Sequence, residues 1–337
     1  MHETASGEYA QVRGDASSDK FLDVYRRCLV TFFVSARETN PGARLILVVN
    51  REDTGQTDVS DVLRSVVASL GVEVITSSYA FMPPATWTKS WWNQFYLFDA
   101  LKCISSTMNS GDLLIMSDSD VIWTGADAAE RMWAELSKSG SASYVVGYEE
   151  MDKVNGLTRS GMSDLAVRIG LARCADVVYI GGEFVGIEWT KLGELISTSE
   201  DIVRRIFELH RSDTSVVCEE AHVLSLAFAS MDFPIGNADS FVRRLWTQPL
   251  KWRNVCSDDL HLALWHLPAE KKYGINRLYV DYVKRRRGSQ LVRSSSGAAD
   301  RATLGRWVGV PRNTAWKVTR DCARAILARM KDRLSHG

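Results

Sequence analysis

The chain has 337 residues, of which 45% are hydrophobic and 24% charged, a make-up that suits one soluble α/β domain of roughly 250 residues with appendages. Lys/Arg and Asp/Glu balance at 41 each, yet residues 284–337 hold 14 Lys/Arg against 3 Asp, so an acidic body precedes a basic tail. Such a tail either meets an anionic partner or neutralises the body. The composition argues against a membrane-spanning chain, since no uninterrupted apolar run reaches the roughly 18–20 residues a helical span needs.

The N-terminal residues MHETASGEYAQ have neither a basic nor an apolar leader pattern, which predicts a cytoplasmic protein. Residues 1–8 read as disordered, and a short strand is expected over 9–13. Phe21 to about Ala36 has helical spacing, although its Val30-Thr31-Phe32-Phe33-Val34 end also suits a strand. Asn40-Pro41-Gly42 breaks it. Arg44–Asn50 is a continuous apolar run ending in a polar residue, the pattern of a strand covered on both faces. A helix over Val59–Leu70, closed by Gly71, and a strand over Val72–Thr76 follow. This alternation predicts a doubly wound α/β sheet.

Beyond Pro83-Pro84, Ser90 caps a predicted helix running to Ser106. Gly111 then opens DLLIMSDSDVIW, an apolar strand that ends in carboxylates. Further strands are expected at Tyr144–Gly147 and Val177–Ile187, and helices at 190–210 and 216–230. Residues 284–305, with KRRRG and Ser294-Ser295-Ser296-Gly297, read as a basic linker, and helical spacing resumes over 313–335. The predicted organisation is a catalytic domain over 9–283, the linker over 284–305 and a basic amphipathic helix within 306–337. The six cysteines (Cys28, Cys103, Cys174, Cys218, Cys256, Cys322) lack close spacing and read as buried thiols in a reducing compartment, not as a zinc site or disulfide frame.

Asp118 and Asp120 follow Leu113-Leu114-Ile115-Met116 at a strand end, where open α/β sheets bind ligands. In extended chain alternate residues point the same way, so both carboxylates face one hard cation. Two carboxylates with diphosphate oxygens suit Mn²⁺ or Mg²⁺. A calcium-binding EF-hand loop fails, because Ile122 and Trp123 stand where oxygen ligands and glycine are needed. A dinucleotide-binding glycine motif is absent. A phosphohydrolase of the haloacid dehalogenase class also uses Asp-x-Asp after an apolar strand, but its motif comes first in the domain. Its later acidic pair follows an apolar strand, whereas Asp258-Asp259 follows RNVCS.

DLLIMSDSDVIW resembles the metal-binding segment of GT-A glycosyltransferases, especially the retaining family 8 type, the group of glycogenin and bacterial galactosyltransferases. That family's late His-x-x-Gly-x-x-Lys-Pro motif is matched in part by HLPAEKKYG, with His266 six residues before Lys272. Ala269 replaces the glycine and Tyr273 the proline, so Lys271 is an alternative to Lys272. VVYIGGEFVGI stands where the family has a strand and turn shaping the sugar site, and Glu219-Glu220 stand at its Asp-Gln pair. The resemblance, over residues 8–275, implies a Rossmann-like GT-A mixed sheet with flanking helices. It implies a metal held by Asp118, Asp120 and His266, and a nucleotide diphosphate sugar as donor.

The remaining candidates each carry a structural reading as well. Lys271 or Lys272 supplies charge to a departing diphosphate, or lies at a solvated helix end. Glu183, in an apolar stretch, contacts sugar hydroxyls or acts as a base, or forms a buried pair with Arg243 or Arg244. Glu219 and Glu220 supply a base, if the enzyme inverts, or favour a helix N-terminus. Asn93 reaches the nucleotide ribose and Arg243 the diphosphate or acceptor. Trp87, Trp91, Trp92, Tyr96 and Trp246 stack on sugar or base, or pack the core.

In the last helix, Trp316, Cys322, Ile326, Leu327, Met330 and Leu334 share one face amid Arg312, Lys317, Arg320, Arg324, Arg329, Lys331 and Arg333. That face lies on an anionic membrane or docks on the domain. No nucleic-acid module accompanies it. The predicted function is sugar transfer to a hydroxyl acceptor, a surface glycan or glycolipid, at the inner membrane face. The alternatives are the phosphohydrolase and a non-catalytic sugar- or nucleotide-binding module.

Overall fold

The computed structural model describes residues 12, 17–125, 128–147, 149–171, 177–231, 235–248, 253–287 and 301–334. The expected disordered residues 1–8, the strand over 9–13 apart from Val12, Cys174 and residues 288–300 of the expected linker lie outside the described residues.

The chain opens with α1 (Asp19–Thr39), β1 (Ile46–Val49), α2 (Asp58–Ser69) and β2 (Glu73–Thr76). Ser18 caps α1 by accepting from the Phe21 N–H, and Thr57 caps α2 by accepting from the Ser60 N–H. The Val30–Val34 stretch is helical throughout, because its apolar residues close a buried stripe against β4 and α8 rather than a pleat. β1 and β2 pair in parallel, as the alternation implies. β1 is half-buried along its length, not covered on both faces.

A 3₁₀ turn over Lys89–Phe95 leads into α3 (Tyr96–Ser105). Ser90 is therefore inside the turn and not a helix cap; Thr88 precedes the turn, without a side-chain cap bond. β3 (Leu113–Ser117), β4 (Val121–Trp123), α4 (Ala128–Ser139), β5 (Ser141–Val145) and α5 (Arg159–Arg168) follow. Next come β6 (Ile180–Glu188), α6 (Trp189–Ser212), α7 (Glu220–Ser230), β7 (Gly236–Asn237), β8 (Val242–Arg244) and β9 (Leu264–His266). α8 (Gly274–Arg287), α9 (Arg301–Val308) and α10 (Ala315–Leu334) close the chain.

The protein is α/β with mixed sheets. One sheet has the order β3-β6-β5-β7, with β6 antiparallel to β3 and β5; another has the order β4-β9-β8. The segment expected as one strand is thus two, in different sheets. A turn at Asp118–Asp120, in which Val121 N–H donates to the Asp118 carbonyl (3.3 Å), carries the chain across. The main core lies between the four-stranded sheet and α3, α4, α6 and α7. A second core joins Cys28, Ile122, Trp265, Leu267, Leu278, Val308 and Val310.

The stretch expected as linker is helical at both described ends, since residues 284–287 continue α8 and 301–305 belong to α9. Val308 and Val310 pack into the second core, so α9 is part of the body. Cys28 and Cys218 are buried, whereas Cys256 is exposed.

Candidate functional site

The turn between the two sheets builds the site. Across β4 and β9, Val121 faces His266, and the Leu267 N–H donates to the Asp120 carbonyl (3.0 Å). The ladder therefore sets His266 beside Asp120. On the other side, the Asp118 N–H reaches the Glu183 carbonyl (3.3 Å), where β3 and β6 end their pairing. His266 Nε2 lies 3.3 Å from Asp120 Oδ2 and 3.5 Å from Asp118 Oδ2. One ligand atom from each of Asp118, Asp120 and His266 falls within 4.8 Å of the others. Asp120 and His266 are buried, while the Asp118 side chain is 53% exposed. The two carboxylates converge because the chain turns between them, not because it is extended.

Two cations offset this charge. Lys271 Nζ lies 2.9 Å from Asp120 Oδ2 and 5.7 Å from the centre of the Tyr25 ring. Burial opposes ionisation of Asp120, but Lys271 and His266 outweigh it and hold the carboxyl well below the usual range. Burial likewise opposes charge on His266, but Asp120 and Glu183 raise it to about 9. Desolvation and the like charge of Asp120 push Asp118 up.

Glu183 stands behind His266. Its Oε1 is 3.2 Å from His266 Nδ1, and Arg244 grips both carboxylate oxygens at 2.7 and 2.8 Å. Burial alone would raise Glu183, yet Arg244 and His266 hold it far below its ordinary value. A Cβ on Gly181 would fall 2.1 Å from Glu183 Oε2, so the glycine before the carboxylate makes room for it.

The adjacent acids divide their duties. Glu219 caps α7 in a reciprocal arrangement with His222 and accepts from Tyr179 and from Asn155, which holds a positive φ of 47°. Glu220 Oε2 is buried and has no hydrogen-bond partner. Burial, then the charges of Glu219 and Asp118, push its carboxyl well above the usual range. A Cβ on Gly182 would come within 2.9 Å of Glu220 Oε1.

The other sequence candidates separate. Lys271 meets the carboxylates, whereas Lys272 is exposed. Arg243 is paired with buried Asp259 (2.9 Å). Asp259 also accepts from the Cys256 N–H (2.7 Å), while Asp258 is exposed. Asn93 sits half-buried on the 3₁₀ turn. Trp87 is core, edge-on to Phe95 and Phe207. Tyr96 donates to the Ser77 carbonyl (3.1 Å). Trp246 lines a cleft of about 320 Å³ with Tyr144, Asp239, Arg243, Arg244 and Asn254. Arg244 joins that cleft to Glu183. A second cavity, of about 380 Å³ between α1, β4, α8 and α9, is lined by none of the candidate residues. Tyr179 and Asn155 went unpredicted; the only signal for them was the cost of burying Glu219.

The donor set fits a divalent cation. Two carboxylates and an imidazole suit Mn²⁺ or Mg²⁺, and buried Asp120 Oδ2 lies near His266 Nε2 and Lys271 Nζ without a well-aligned hydrogen bond.

No protein-family profile and no curated protein sequence matches the chain. Among solved structures, the fold is similar to the galactosyltransferase LgtC in complex with donor and acceptor sugar analogs. That likeness has a TM-score of 0.45 at 15% identity, over 77% of this chain and 93% of that one. An active-site mutant of LgtC gives a TM-score of 0.46 at 14% identity, over 81% and 95%.

Proposed function

We propose that the chain is a glycosyltransferase that moves a sugar from a nucleotide diphosphate donor to a hydroxyl acceptor, a surface glycan or lipid-linked glycan. The observation that carries this reading is the Asp118–Asp120–His266 cluster with the Lys271 ammonium on Asp120. Asp118, Asp120 and His266 would hold Mn²⁺ or Mg²⁺, which supplies positive charge where a departing diphosphate gains negative charge.

Lys271 adds a movable positive charge that can exchange Asp120 for a phosphate oxygen. Glu183 accepts from the Nδ1 side of His266 and thereby turns Nε2 toward the two aspartates, while Arg244 fixes Glu183. Glu220, whose carboxyl is pushed above its usual range by burial and by the charges of Glu219 and Asp118, would hydrogen-bond a sugar hydroxyl. Glu219 supports it by fixing the start of α7.

The proposal extends to location. Among the described residues no helix is long and apolar enough to cross a membrane. On α10, Trp316, Ile326, Leu327 and Met330 are exposed beside Arg324. We place the enzyme in the cytoplasm, peripheral at the inner membrane face, with this side of α10 on anionic lipid. Flotation with phosphatidylglycerol vesicles, weakened in Ile326→Ser/Leu327→Ser and absent with phosphatidylcholine, tests the placement.

The activity is tested by thermal shift with nucleoside diphosphates and nucleotide sugars, with and without Mn²⁺. Wild type gains more stability with both present than with either alone, and Asp118→Asn loses that extra gain. Absence of any metal-dependent shift across the donors would sink the reading.

A further inference from the structure

We infer that Lys317, on the C-terminal helix, is a positioning residue for Lys271, and that the helix is thereby a working part of the site. The inference rests on the proposal that Lys271 serves a metal–diphosphate site.

Lys317 is fully buried, and its Nζ lies 2.8 Å from Glu270 Oε1 and 2.6 Å from Asp321 Oδ2. Glu270 is also buried. Its Oε1 accepts from the Thr247 hydroxyl and its Oε2 from the Gly274 N–H (2.8 Å). Glu270 thus ties three separate pieces of chain together: the loop at Thr247, the start of α8 and the first turn of α10. Lys317 is the cation of that clasp, reaching back 47 positions.

Glu270 is the chain neighbour of Lys271. The segment from His266 to Lys271 is fixed at one end by the β4–β9 ladder and the Leu267–Asp120 bond. At the other end it is fixed by the contacts of Glu270. The α9–α10 corner shares a buried core with Leu267 of that segment through Val308 and Val310, and the corner itself is tightly folded. A Cβ on Gly305 would fall 2.0 Å from the Val310 carbonyl and 3.7 Å from the Trp265 ring, and one on Gly309 would fall 3.2 Å from Lys317 Cε.

The clasp also settles a competition between charges. A buried carboxylate requires a partner. With Lys317 in place, Glu270 has one, and Lys271 is left to Asp120. Without Lys317, Glu270 is a buried carboxylate with no cation, one position from Lys271 in the chain, and becomes a rival counter-ion for the flexible Lys271 side chain.

The test compares wild type, Lys317→Met, Lys317→Gln and the double variant Lys317→Met/Glu270→Gln. Lys271 acetylation by acetic anhydride is followed by mass spectrometry, and binding of Mn²⁺ with pyrophosphate by calorimetry. In Lys317→Met, acetylation of Lys271 quickens and pyrophosphate affinity falls, each about tenfold. The double variant, which removes the competing charge, returns both to within about threefold of wild type. Should Lys317→Met not fold, Lys317→Gln shows the same direction with a smaller change. Unchanged Lys271 labelling in a folded Lys317 variant, or no recovery in the double variant, overturns the inference. Wild type that shows the labelling pattern but binds no Mn²⁺–pyrophosphate leaves the clasp standing and removes the proposed function instead.

Discussion

His266 faces Glu183 through Nδ1 at 3.2 Å, and that contact directs its other nitrogen at Asp120. An imidazole with one nitrogen on a carboxylate is fixed in tautomer and orientation before any cation arrives. Glu183→Gln keeps the shape and removes the charge. Mn²⁺ affinity is expected to fall about 10–100-fold, as read by calorimetric titration, with the secondary structure unchanged.

The carboxylates around His266, Asp120 first and then Glu183, give the metal-free protein a characteristic pH dependence. His266 has a folded-state value of about 9 against an ordinary 6.5. A raised value means that its contribution is fully present below pH 6.5 and is lost as the pH rises through 9. The span corresponds to about 3 kcal/mol. Urea unfolding in the presence of a chelator, at intervals from pH 6 to pH 10, should show this decline, and His266→Gln should flatten it.

Lys271 and Lys272 are neighbours with unequal prospects. Lys271→Ala should lower kcat/KM for the donor about 100-fold, the scale of losing one charged contact to a developing anion. Lys272→Ala, altering an exposed side chain, should stay within about threefold. Steady-state kinetics on both variants separates them; equal losses would contradict the placement of Lys271 at Asp120.

Gly182→Ala sets a methyl against Glu220 Oε1 at 2.9 Å. Either the carboxyl moves or the strand does, at a cost of about 1–3 kcal/mol. The expected result is a lowered Tm and a larger fall in kcat than in donor binding. An unaltered kcat would remove Glu220 from the reacting centre.

Much of this was legible in the amino-acid order. The β1–α2–β2 unit and α6 have clear periodicity, and a carboxylate as deeply set as Glu183 required a cation, which Arg244 supplies. The Asp118–Asp120 segment misled in one respect. Its apolar flanks suit a single strand, and nothing local says that they join different sheets. α8 was invisible because its charged and polar residues hide a narrow apolar stripe, and its start depends on Glu270 accepting from Gly274. The clasp between Glu270 and Lys317 was unreadable for another reason. Charges far apart in sequence look solvated until the fold buries them together.

The turn from Asp118 to Asp120 joins two sheets by a single short crossing, and the donor atoms sit on both sides of that seam. A cation shared among them would act as a rivet. Slippage between the four-stranded and three-stranded sheets would stretch the ion's own bonds. Loading the site should therefore stiffen the protein well beyond the site itself, slowing amide exchange in β4 and β9 together with the end of β3, while β1 and β2 keep their native rates.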